Sequence, residues 1–200
     1  MLLRYFCSEQ FQNTALYPVI SQIRHGAGFA ENDTSDERLD KLSRLLMAGL
    51  PPDELAAAMP YFAALLSVPT AGRYPASGDS PERQRELTLR ALLSIFVALS
   101  RERPLLVLFE DLHWADHGSR DFLRFLARQL ADRRILVAAT YRSDELHRRH
   151  PLYTLLPVLV RESGVERCAH DARQFRCFAD FQHLAAEAIS QRPQRSELRV

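Results

Sequence analysis

Lysine is almost missing from this chain. Among 26 basic residues in 200, Lys41 is the only lysine, so any chemistry that needs an ammonium group has a single candidate. Cysteine is also sparse: Cys7, Cys168 and Cys177 are scattered and odd in number. That excludes the regular pairing of a small disulfide scaffold and makes a reducing cytoplasm the expectation. No apolar run approaches the length of a membrane span, and the opening MLLRYFCSEQ is too short a stretch for a signal peptide. A surplus of charge is missing too. The formal net charge is +1, which gives no global argument for a nucleic-acid or membrane surface. What remains, 46% apolar and 26% charged, is the composition of a globular chain of one domain or slightly more.

The most informative stretch is PLLVLFEDLHWAD, residues 104–116. Leu105 to Phe109 run apolar without a break and then meet Glu110 and Asp111. A short continuous apolar run suits a strand covered on both faces, as in a parallel sheet. Such a strand tolerates charge only at its C-terminal end, and in open α/β sheets the ligand crevice lies outside those ends. A second run of this kind, ILVAAT at 135–140, follows after a helical pattern capped by Asp116 or Ser119 and carrying Phe122, Leu123, Phe125, Leu126 and Leu130. Strand, helix and strand at this spacing predict a parallel βαβ unit with a right-handed crossover.

Ahead of it, Leu2 to Cys7 reads as a strand. A helix with Leu16, Val19, Ile20 and Ile23 on one side follows, capped by Asn13 or Thr14 and closed by Gly26 and Gly28. Thr34 or Ser35 opens a second helix. Asp53 caps a third, and Ser80-Pro81-Glu82 starts a long fourth that reaches about Arg101. A further helix is expected from about Leu152 to Val160. The sequence therefore predicts an α/β chain, a parallel sheet flanked by helices, with a helical insertion at about 35–101.

The run LLVLFEDLHWAD, followed by ILVAATYRSDEL, resembles the ATPase modules of the STAND class, which are AAA-like P-loop NTPases. These occur in LuxR-type transcriptional regulators and beside adenylate cyclase domains. RYFCSEQFQNTALYPVISQI resembles the second strand and helix of the cyclase-associated group, and the likeness covers roughly residues 1–165. The resemblance implies an ATP and Mg²⁺ site. Glu110 matches the Walker B acid that holds Mg²⁺, and Asp111 matches the acid that directs the attacking water. Thr140 and Arg142 match the sensor region near the γ-phosphate, where an arginine can stabilise developing charge. Two plainer readings stand beside these: the acids merely end a strand, or Arg142 pairs with Asp144 or Glu145 on the surface.

The family's phosphate cradle, G-x-x-x-x-G-K-[ST], is absent from the 200 residues. Lys41 lies in DKLSRLL with no glycine before it, and Gly28 is followed by Phe29. The resemblance thus implies a partial sheet that retains strands 2, 3 and 4 and starts one strand late. It predicts an ATPase module of a signalling regulator with poor activity alone. The alternatives are a protein-interaction module that uses an exposed sheet edge to bind a partner, or a gene fragment without independent function.

From about Arg161 the pattern weakens. A fifth strand near Val165, a short helix at 178–189, and a disordered tail are the expectations there. Cys168, His170, Cys177 and His183 are zinc-ligand types, but their spacing matches no common finger. His113 and Trp114 read as packing or cleft-wall residues, and Asp116 as a helix cap rather than a third acid.

Overall fold

The computed structural model describes residues 1–70, 72–75, 78–130 and 133–161. The fifth strand, the helix at 178–189, the tail and the Cys168–His183 group lie outside the described residues. Three strands, β1 (Leu2–Phe6), β2 (Leu105–Glu110) and β3 (Ile135–Ala139), form one parallel sheet in the order β1-β2-β3. Six helices accompany them: α1 (Tyr17–Ala27), α2 (Ser35–Met47), α3 (Pro52–Leu65), α4 (Pro81–Glu102), α5 (His117–Gln129) and α6 (Pro151–Arg161). This is the α/β parallel sheet that the apolar runs predict and the partial P-loop NTPase-like fold that the resemblance implies.

Strand β2 is the middle strand and is buried at every position but its last, as an unbroken LLVLF run requires. Its side chains alternate, so Leu105, Val107 and Phe109 enter the main core. There the Tyr5 ring stacks on Phe109 at 5.0 Å and tilts against Phe96 of α4 at 6.2 Å, and Phe96 meets Phe122 of α5 at 5.7 Å. Burying each such side chain contributes roughly 1.5–3 kcal/mol, which fixes the register, because a one-residue slip would turn the whole set outward. Leu106, Leu108 and Glu110 share the opposite face with Arg4 and Phe6.

Several local expectations change. Strand β3 is less buried than its sequence suggests: only Ile135 is fully covered and Ala139 is exposed. Among the described residues β3 pairs only with β2, which puts it at the edge of the described sheet. Neither Asn13 nor Thr14 caps α1. Leu16 takes that place in a left-handed conformation (φ 59°), and its amide donates to Asp116 Oδ1 at 2.8 Å, a hundred residues away. Asp53 lies in the first turn of α3, behind Pro51 at the cap position. Helix α2 begins as expected, with Thr34 and Glu37 forming a reciprocal capping box. Gly28 closes α1 at φ 67°, whereas Gly26 lies within the helix.

Candidate functional site

All three strands run the same way, so their C-terminal ends open on one side of the sheet. Glu110 ends β2, and its backbone carbonyl accepts from Cys7 N–H at 3.0 Å, which extends the ladder past β1. Asp111 follows in the left-handed region (φ 54°, ψ 44°), a conformation that carboxylate and amide side chains enter more readily than most. That reversal turns the chain sharply off the sheet into a single 3₁₀ turn, Leu112–Trp114.

Thr140, just beyond β3, holds this turn in place. Its N–H donates to Phe109 O at 2.9 Å and its carbonyl accepts from Leu112 N–H at 2.8 Å. Its hydroxyl lies 3.4 Å from the Asp111 amide, which donates to it. The fold therefore brings Glu110, Asp111 and Thr140 together. Arg142 lies nearby but points elsewhere. Its guanidinium contacts Glu145 Oε1 at 3.2 Å and lies 6.0 Å from the Trp114 ring centre, on an exposed stretch.

His113 is buried beneath this turn. Its Nδ1 accepts the Arg142 amide at 3.4 Å, which assigns the proton of a neutral ring to Nε2. Nε2 lies 3.3 Å from Glu145 Oε2 without hydrogen-bonding geometry. His113 thus links the carboxylate turn to the loop after β3, and His117, exposed at the start of α5, takes no part.

Asp116 is buried and fully engaged. Oδ1 accepts from Leu16 N–H and Ser119 N–H, each at 2.8 Å, and Oδ2 accepts the Ser119 hydroxyl at 2.6 Å. It is a helix cap that also ties α1 to α5. Cys7 lies in the field of both aspartates. Burial, then Asp116, then Asp111 push its thiol up to about 12, which leaves it inert as a nucleophile.

Glu110 is the acid whose environment the sequence leaves hidden. Arg4 Nε donates to its Oε1 at 2.7 Å, and Nη2 lies 2.5 Å from the same oxygen. The only signal for this contact is a charge inside the apolar strand LLRYF. Among the described residues no group of three or more His, Cys, Asp or Glu side chains is placed to hold a metal ion. Mg²⁺ requires near-octahedral oxygen ligation, from one or two carboxylates together with phosphates. Glu110 in its pairing with Arg4 does not fit that donor set, Asp116 is consumed as a cap, and Asp111 is the remaining carboxylate of the turn.

The AAA ATPase domain family matches residues 6–138, from the end of β1 through β3. The chain belongs to the AAA ATPase domain family. An uncharacterized protein of Rhizobium meliloti (strain 1021) is 37% identical over 101 residues. The match covers 48% of this chain, and the chain spans 10% of that relative's length. No solved structure matches the chain. Family membership makes this an ATPase-like module. No helix among the described residues is long and apolar enough to cross a membrane.

Proposed function

We propose that residues 1–165 form an ATPase-derived module of a signalling or transcriptional regulator, and that the module does not turn over ATP by itself. One observation carries this reading. The parallel strands deliver Glu110, Asp111 and Thr140 to one end of the sheet, yet the 200 residues contain no glycine-rich loop closing on lysine to cradle phosphates. Glu110 and Asp111 occupy the positions of a Walker B pair. Thr140 and Arg142 occupy those of the sensor residues. Without the phosphate cradle, two carboxylates near a triphosphate repel it unless Mg²⁺ neutralises them. Titration calorimetry with Mg²⁺-ATP and the full chain tests this: no binding tighter than the millimolar range is expected, and micromolar binding overturns it.

The exposure of β3 favours a second reading, a protein-interaction module. Among the described residues β3 pairs on one side only, and a strand edge of that kind can pair with another chain. Light scattering and pull-down of the full chain address it. A monomer that retains no protein partner counts against this role.

A further inference from the structure

We propose that Arg4 is a resident counter-ion that takes the place of a divalent cation at Glu110 and keeps this carboxylate closed to metal. The inference rests on the reading of Glu110 as the metal-acid position. It starts from register. Arg4 is paired with Leu108, and Phe6 with Glu110, so Arg4 and Glu110 lie on the same sheet face as diagonal neighbours, within reach of a long side chain. Two guanidinium nitrogens converge on one carboxylate oxygen, Oε1. The guanidinium also lies over the Phe6 ring, 5.0 Å from its centre.

Three properties set this pairing against a metal ion. Arginine cannot be deprotonated in a protein, so its charge is permanent and no ordinary pH releases the carboxylate. Arg4 takes up Oε1, and a divalent ion on the remaining oxygen would sit beside a fixed positive charge. Among the described residues no group of three or more His, Cys, Asp or Glu side chains is placed to complete a shell with Glu110 and Asp111, and both oxygens of Asp116 are held by three donors.

The test is Mn²⁺ binding to the full chain, followed by the loss of the free-ion electron paramagnetic resonance signal. Far-UV circular dichroism establishes that each variant is folded. Arg4→Met keeps the aliphatic length and removes the charge. It is expected to bind Mn²⁺ at least about tenfold more tightly than the parent, and the gain is expected to vanish in Arg4→Met/Glu110→Gln. Parent affinity equal to that of Arg4→Met overturns the proposal, as does a gain that persists in the double variant. If Arg4→Met does not fold, the parent and Glu110→Gln decide. Equal, weak Mn²⁺ binding supports the proposal, and a loss on removing the Glu110 charge overturns it. ATP titration judges the functional reading separately, since micromolar nucleotide binding would refute that reading while leaving the Mn²⁺ comparison intact.

Discussion

Two carboxylates six positions apart in the same motif have opposite surroundings. Asp116, at the start of α5, is 2% exposed and accepts three hydrogen bonds, one of them from the opening of α1. Glu110, at the end of β2, has a quarter of its side chain exposed and, among the described residues, one charged partner, Arg4. The buried acid is committed to structure. Stability depends on it because its loss strands buried amides. The open acid is the one available for chemistry, and its surroundings decide whether that chemistry occurs. Sequence adjacency alone ranks them the other way for stability, because Glu110 follows the deeper strand.

Cys7 senses both ends of this comparison. Its thiol, raised to about 12 by burial and by Asp116 and Asp111, carries far less thiolate at pH 8 than an ordinary cysteine. Alkylation of Cys7 in the native chain, followed by peptide mass spectrometry, is expected to run about a thousandfold slower than in the denatured chain, because thiolate falls tenfold per pH unit. Asp116→Asn is expected to accelerate it more than Asp111→Asn does, since Asp116 is the stronger of the two influences. The reverse order would show that Asp111 dominates the field.

For stability, Asp116→Ala is expected to have the largest effect. Removing the carboxylate leaves the Leu16 and Ser119 amides buried without acceptors, each costing about 1–3 kcal/mol, so a loss of about 3 kcal/mol in urea unfolding is expected. Gly118→Ala probes the same joint from the steric side. A Cβ at Gly118 would lie 3.0 Å from Leu16 N and 3.2 Å from Asp116 Oδ1. Neither neighbour can withdraw without breaking the bond between them, so a loss of about 1–2 kcal/mol is expected despite alanine's better helix propensity. A stabilised variant would show that the α1–α5 joint relaxes freely.

Much of this architecture is legible in the sequence because it rests on local rules. The LLVLF run, the Thr34-x-x-Glu37 box and the Ser80-Pro81 start each specify their element through chemistry within a few residues. What stays hidden is long-range. The amide that Asp116 secures at Leu16, the close approach at Gly118 and the grip of Arg4 on Glu110 all join segments about a hundred residues apart. Strand β3 looks fully buried in sequence because apolar runs do not encode how many neighbours a strand has. The site is legible as a pair of acids at a strand end, whereas the side chain that occupies one of them is not.

The smallest expected effect on stability is at Glu110. Glu110→Gln keeps the shape and one acceptor oxygen for Arg4 but removes the ionic part of the contact. Arg4 has 42% of its side chain exposed, so solvent screens the pair, and half-exposed ion pairs contribute about 0–1 kcal/mol. A loss below about 1 kcal/mol in urea unfolding at low salt is therefore expected, shrinking further at 1 M NaCl, where screening reaches contact distances. A loss as large as that of Asp116→Ala would mean that Glu110 is a structural acid like its neighbour. Its position at the strand end would then say nothing about chemistry. A small, salt-sensitive loss instead leaves a carboxylate that the fold does not need for stability, as expected of an acid retained by an ATPase-like site and restrained there by one arginine.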